Sequence, residues 1–420
     1  MRLFLLFYNL VWLLALPFLK RSRRTSSGWR QRTMQESVDT TFDLWIQAAS
    51  GGESQLTAMI LKQLDTLLPE NRHVKILVTS GTQQGIDTLR KSIDTIQSTK
   101  LYISASYFPF DAPRFMSCAF DLYSPRIAVI VETELWPGFL VNAHSRNIPV
   151  LLINGRMSEK SFRSYRHFHR FFRKYGPRKI WAISELDCSR FAQVAGPEKV
   201  SLMHNIKFDR IKTAQAGTAD GPVGALLPTD VPFILLGSIR REEEEKIAFT
   251  IEKLTSEKPE IVIGLFPKHL ERASLWLSIL QRHGIPCCTR SALQRPAEPG
   301  SVIVWDVYGE LAGAYALAKT AFVGGSLINL GGQNFLEPLV FGLKPVIGPY
   351  WQNFAWVSRD ILAKGLVHEV QDEHELCSKL LDELETEEAR EEVIKQVDDY
   401  FSPRKGGTNF ISKEILTFLS

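Results

Sequence analysis

Short apolar runs recur along almost the whole chain, and most of them are followed by a longer amphipathic stretch. This rhythm limits the fold more than any other feature. A buried strand that must be covered by the next helix is a βαβ unit, and a series of such units makes a parallel sheet with helices on both faces. The first series reads "FDLWIQAAS", "HVKILVTS", "IAVIVE", "VLLING", "KIWAIS" and "KVSLM"; the second reads "PFILLGS", "EIVIGLFP", "SVIVWD", "TAFVGGS" and "KPVIGP". Between them lies "AQAGTADGPVGALLPTD", rich in Gly, Pro and small residues as a linker is. The expected fold is α/β, with two Rossmann-like domains facing a central cleft and ligands bound beyond the C-terminal ends of the strands. A chain of 420 residues has room for both. The expected boundaries are 1–24 for an apolar helix with its basic flank, 40–213 for the first domain, 214–230 for the linker, 231–403 for the second domain and 404–420 for a C-terminal helix.

The segment from Leu3 to Leu19 is almost wholly apolar, and Lys20, Arg21, Arg23 and Arg24 follow at once, with no acidic residue before Glu36. This pattern predicts a membrane-associated helix whose basic flank stays on the cytoplasmic side; a core or monotopic helix is the alternative. The net charge of +4 speaks against a general nucleic-acid binder. Five cysteines, odd in number and without a CxxC pair, suggest neither a zinc site nor a disulfide framework.

Three places combine a strand end with chemistry-bearing residues. In "AASGGES", Glu53 follows two glycines at a strand-to-helix turn, where a carboxylate serves either as a base toward a hydroxyl or as an acid in the first helical turn. In "VETELWPG", Glu132 and Glu134 leave a strand together; close acids shift each other's titration, while the structural reading has Glu134 solvated and Glu132 paired with a buried arginine such as Arg156. In "HNIKFD", Lys207 offers a cation to an anionic group or is simply solvated. The stretch "MSEKSFRSYRHFHRFFRKYG" reads as one helix with Arg163, Arg166, Arg170, Arg173 and Lys174 on one side and Tyr165, Phe168, Phe171, Phe172 and Tyr175 on the other. It packs through its rings, and its cationic face is solvated or meets lipid headgroups or phosphates.

The second series carries "LLGSIRREEEEK", with Ser238 as expected N-cap and an acidic run expected as a solvated face. It also carries Pro267 and Lys268 in "LFPKHLER", and Gly309, Glu310 and Leu311 in "WDVYGEL". In "GGQNFLEP", Asn334 and Glu337 are spaced as a capping box, beside a glycine turn that suits an anion, and an exposed glutamate there accepts ribose hydroxyls.

Taken in order, "ASGGES", "VETELWPG", "INGRMSE", "NIKFD", "PKHLER", "YGEL" and "GGQNFLEP" resemble the Kdo (3-deoxy-D-manno-octulosonic acid) transferase family over roughly residues 40–400. The resemblance implies a GT-B glycosyltransferase that inverts the sugar's anomeric configuration, with CMP-Kdo as donor and a lipid A precursor as acceptor. It needs no cofactor and no metal, and works at the cytoplasmic face of the inner membrane. Glu53 is then the general base, Glu132 and Lys207 support the transition state, and CMP is held by Pro267, Lys268, Gly309, Glu310, Leu311, Asn334, Phe335, Leu336 and Glu337. The sequence departs from the family's pattern at Gln333, where histidine is usual, at Lys268, where arginine is usual, and in "GSIRREEEE". A transferase or epimerase acting on another nucleotide sugar, and a membrane-tethered nucleotide-sugar binding protein with impaired catalysis, are the alternative expectations.

Overall fold

The computed structural model describes residues 2–38, 40–213 and 221–420; Met1, Asp39 and residues 214–220 of the expected linker lie outside the described residues. The chain forms two compact units, one of residues up to Arg210 together with Arg404–Ser420, the other Ile211–Pro403.

The first unit holds seven parallel strands, β1 Leu44–Ala48, β2 Val74–Ser80, β3 Leu101–Tyr107, β4 Ile127–Val131, β5 Val150–Gly155, β6 Lys179–Ala182 and β7 Val200–Leu202, in the order β3-β2-β1-β4-β5-β6-β7. β1 is buried along its full length because both faces of the sheet are covered. On one face the helix Gly51–Leu67 buries Leu56, Ile60, Leu61 and Leu64, the spacing of a single helical stripe. The helix Gly407–Leu419 joins the same cluster through Ile411, Ile415 and Leu419, so the C-terminal helix belongs to the first unit. Asp209 accepts the amides of Gly406 (2.6 Å) and Thr408 (2.7 Å), which supplies the acceptor that the helix start lacks in its own sequence. On the other face Trp45 packs against Phe120 and Phe139, each at 5.0 Å.

The second unit repeats the plan with β8 Phe233–Ile239, β9 Val262–Pro267, β10 Cys287–Thr289, β11 Val302–Val304, β12 Thr320–Val323, β13 Pro345–Ile347 and β14 His368–Glu369, ordered β10-β11-β9-β8-β12-β13-β14. Two Rossmann-like α/β units are therefore present.

The structure also corrects the sequence reading. β3, β10 and β14 were not expected. β3 and β10 are edge strands of mixed composition, and β14 has two residues. The aromatic-basic stretch is two helices, Glu159–His167 and His169–Tyr175, broken at Phe168. At the break the imidazoles of His167 and His169 contact the carbonyls of Arg163 (2.6 Å) and Arg166 (3.1 Å), competing with continued helical bonding. Ser238 is not an N-cap: it lies within β8 at φ +57, and the acidic run begins with a 3₁₀ turn at Arg241–Glu243.

The N-terminal helix Arg2–Arg21 contains Pro17 and lies against the first unit, with the Tyr8 hydroxyl donating to Asp111 (2.7 Å) and Trp12 meeting Phe110 at 5.7 Å. Leu6, Phe7, Leu10, Leu14 and Phe18 on the same helix are more than half exposed. Among the described residues, no helix is long and apolar enough to cross a membrane.

Candidate functional site

In the first sheet the strand order reverses between β1 and β4, which are direct neighbours. The crevice beyond their C-terminal ends is the ligand position of open α/β sheets. Glu53 emerges from β1 into this crevice, and Glu132 and Glu134 emerge from β4, so the fold brings together what the sequence separates by about eighty positions.

Glu53 occupies the third position of its helix and is 9% exposed. Its carboxylate accepts the amide of Ala49 (2.6 Å) and the Ser50 hydroxyl (3.0 Å), while the Ser50 oxygen faces the Glu53 amide at 3.4 Å. The capping arrangement and a poised carboxyl thus coexist. Burial raises its pKa from the ordinary carboxylate value to about 7, the Ala49 amide opposes this, and the charges of Glu132 and Glu134 add to it. A carboxyl that titrates near neutrality suits proton removal from a hydroxyl.

Glu132 sits at φ +64, an unfavourable region for a residue with a side chain, of the kind that clusters at functional sites. Its carboxylate receives the Lys207 ammonium at 2.8 Å. Arg156, the partner envisaged from sequence, is exposed, and its carbonyl accepts the Thr133 hydroxyl. Two asparagines aim Lys207: the buried Asn154 at the end of β5 accepts the amide of Ile206 (2.9 Å), and Asn205 accepts that of Lys207 itself (3.0 Å). Glu134 is half-buried rather than solvated, and burial pushes its carboxyl up, with the Trp136 indole opposing.

Sequence reasoning missed Asp111. It is buried and accepts the amides of Gly138 and Phe139, both at 2.6 Å, so it fixes the start of helix Pro137–Ser145 directly after the Glu134 segment. Burial raises its pKa to about 7, against the hydrogen bonds from Tyr8 and the two amides. No motif marks it, because its partners come from distant helices. A cavity of about 440 Å³ opens at these strand ends, lined among others by Gln47, Ala49, Gly81, Arg32, Glu134 and Trp136.

In the second sheet the reversal falls between β8 and β12. Beyond them the glycine turn is held by Glu243, which is fully buried and accepts the amides of Gly325 (2.5 Å), Ser326 (2.9 Å) and Leu327 (2.8 Å). Glu244, also buried, takes the Arg272 guanidinium at 2.8 Å. The acidic run is therefore partly an internal brace, a correction to the solvated face expected from its charge.

Pro267 ends β9, and the Lys268 amide bonds to the carbonyl of Ile239 (2.8 Å) while its side chain stays exposed. Lys268 and Glu337 are brought together: Lys268 opposes the rise that burial causes in the Glu337 carboxyl. Glu337 is thus half-buried, not exposed as expected. Asn334 is exposed, and the capping box is not formed: the helix Leu336–Leu339 has Phe335 at its cap position, with no side-chain cap bond. Phe335 and Leu336 are buried, the former against Trp351 and Phe354, so their side chains serve the core. Gly309 stands at φ +90 with open space around it, and Leu311 begins helix Leu311–Leu317. The Glu310 carboxylate is engaged by both nitrogens of the Arg290 fork and by the Trp305 indole, each at 2.8 Å, which fixes the turn beside Gly309. Arg290 carried no sequence signal. Among the described residues no cluster of metal-ligating side chains occurs.

The family described as 3-deoxy-D-manno-octulosonic-acid transferase (kdotransferase) matches residues 22–210. The chain is 27% identical to a bifunctional glycosyltransferase/methyltransferase of Fusobacterium nucleatum subsp. nucleatum, with 97% of this chain and 63% of that protein covered, so it spans less than two thirds of that relative. It is 28% identical to a 3-deoxy-D-manno-octulosonic acid transferase of Haemophilus influenzae, covering 83% of this chain and 81% of that one. Among solved structures, a UDP-GlcNAc 2-epimerase of Neisseria meningitidis bound to UDP-GlcNAc matches with a TM-score of 0.55 at 14% identity, over 90% of this chain and 99% of that one; at such identity the likeness is one of fold.

Proposed function

We propose, from the premise that this chain belongs to the Kdo transferase family, that it is an inverting glycosyltransferase of lipopolysaccharide core assembly. It moves Kdo from CMP-Kdo to a lipid A precursor of the lipid IVA type. The observation that carries the reading is the meeting of Glu53 with the Glu132–Lys207 pair at the β1/β4 reversal, with Glu53 held near pH 7 by burial.

The reaction is a single displacement. Glu53 takes the proton of the acceptor hydroxyl as its oxygen attacks the anomeric carbon, and the bond to the CMP phosphate breaks. Lys207, held by Glu132 and the two asparagine-braced turns, supports the charge that develops in the transition state. The second unit takes the nucleotide through Pro267, Lys268, Gly309 to Leu311 and Asn334 to Glu337. Within that set Lys268, Asn334 and Glu337 are the side chains we assign to ligand contact. Glu310 shapes the turn through Arg290, and Phe335 and Leu336 support it from the core. The group set needs no metal and no resident cofactor.

The N-terminal helix, with its outward Leu6, Leu10, Leu14 and Phe18 and its basic end at Lys20 and Arg21, lies in the interface of the inner membrane on the cytoplasmic side. Transfer from freshly made CMP-Kdo to a tetraacylated lipid A precursor tests the reading. Dependence on Glu53 supports it, whereas a well-folded chain that is inert, or one that prefers UDP to CMP, overturns it.

A further inference from the structure

The helix pair that carries the broken aromatic stretch packs on the body through Phe172 and Tyr175 but leaves a space beside its break. Between it, the Glu134–Pro137 segment and the N-terminal helix lies a cavity of about 360 Å³. Its walls are Tyr8, Leu135, Trp136, Tyr165, Phe168 and Phe171, with Glu134 the one carboxylate. An interior ring is normally covered by other side chains, yet here Phe168 is 55% exposed, placed at the mouth by the break between the two helices. The space is too apolar to hold ordered water well. It shares Glu134 and Trp136 with the cavity at the strand ends, so the two adjoin at these side chains.

A ligand of this cavity has an apolar, slender part and a polar part that reaches the β1 end. Arg166 and Arg170 are exposed on the same helix pair and give its outer surface a positive charge, complementary to an anionic amphiphile. The outward apolar residues of the N-terminal helix, whose Tyr8 forms part of the wall, place a lipid-compatible surface next to the opening. The cavity has room for a stretch of an acyl chain.

We propose that this cavity is an acyl-chain subsite of the acceptor: one fatty acyl chain lies between Trp136 and Phe168 while the sugar end of the same molecule enters the cavity at the strand ends. The proposal rests on the reading that the first unit binds a lipid acceptor. It makes chain length a determinant of acceptor choice, because a chain longer than the cavity must protrude past Phe168.

The full chain is tested with a tetraacylated lipid A precursor bearing a diazirine midway along one acyl chain, and with the fully deacylated disaccharide phosphate as second acceptor. Photolysis is expected to label residues 135–137 and 164–172. Ser164→Trp, at an exposed position of the lining, is expected to lower kcat/KM for the acylated acceptor about tenfold or more and to leave that for the deacylated acceptor within about twofold. Phe168→Ser, which widens the mouth instead of filling it, is expected to weaken use of the acylated acceptor alone. Labels confined to Leu6, Leu10 and Leu14 place the chain in the surrounding bilayer and overturn the subsite, as does an equal effect of Ser164→Trp on both acceptors or no effect on either. Should the wild type transfer to neither acceptor, the proposed reaction fails, and the labelling pattern still decides the cavity.

Discussion

Replacing Glu53 by glutamine is expected to separate activity from stability in opposite directions. The amide keeps the shape of the protonated carboxyl and can still accept the Ala49 amide, so the local fold persists. Activity falls by about 10²–10⁴-fold, the usual contribution of a general base. Stability rises, and by an amount set by pH. Glu53 titrates at about 7 in the folded chain against an ordinary value of 4.5 in the unfolded one. Its favourable contribution is complete below 4.5, where both states are protonated, and is lost as pH rises through 7, because between these values the folded state holds a proton that the unfolded state releases. At about 1.4 kcal/mol per pH unit the ionised, buried carboxylate costs about 3 kcal/mol at pH 8 and less than about 1 kcal/mol at pH 5. Glutamine carries no such cost. Thermal unfolding of Glu53→Gln should therefore exceed that of wild type by about 6–12 °C at pH 8 for a unit of this size, with most of the gain gone at pH 5. Parallel melts and pH–rate profiles provide the assay; the wild-type rate should be about one tenth of its plateau at pH 6 and about nine tenths at pH 8. A gain independent of pH, or none at pH 8, would refute burial as the origin of the raised titration, and retained transfer would remove Glu53 as the base.

Lys207→Ala leaves Glu132 unpaired beside Glu53, so transfer should drop about 10²-fold and the pH midpoint should move upward; an unchanged rate would remove Lys207 from the mechanism. Glu132→Gln withdraws a neighbouring negative charge and should move the same midpoint downward in a pH–rate series. Glu243→Gln sets an amide N–H against backbone donors of the glycine turn and should cost the second unit about 2–4 kcal/mol by urea unfolding, with weaker CMP binding. Lys268→Arg supplies a fork in place of a point charge and should tighten CMP about three- to tenfold by calorimetry; unchanged affinity would mean that Lys268 does not reach the phosphate.

The strand ends were the legible part of the sequence. Runs such as "DLWIQAAS" and "IAVIVE" are buried on both faces, so their hydrophobicity is continuous and their ends are sharp, which is why Glu53 and Glu132 could be placed on strand-to-helix turns. β3 reads poorly because its place at the sheet edge leaves Tyr102 exposed and Ile103 to Ala105 only partly covered. Capping signals at Ser238 and Asn334 failed because Ser238 lies within β8 at φ +57 and Phe335 takes the cap position of the short helix Leu336–Leu339. Asp111 and Arg290 were invisible because their meaning lies in partners remote in sequence. The aromatic-basic stretch had the right faces except at Phe168, which is exposed at the break, since periodicity at 100° per residue cannot register a discontinuity there.

The helix Gly407–Leu419 closes the core of a unit whose preceding residues end at Arg210. At synthesis rates of about 5–20 residues per second, the ribosome needs about 10–40 s to make the intervening stretch before Ile411 and Ile415 are available. During that interval the nascent first sheet has one face incompletely covered. The order of translation and the order of burial are therefore out of step, and shortening the C-terminus should harm the unit that was made first.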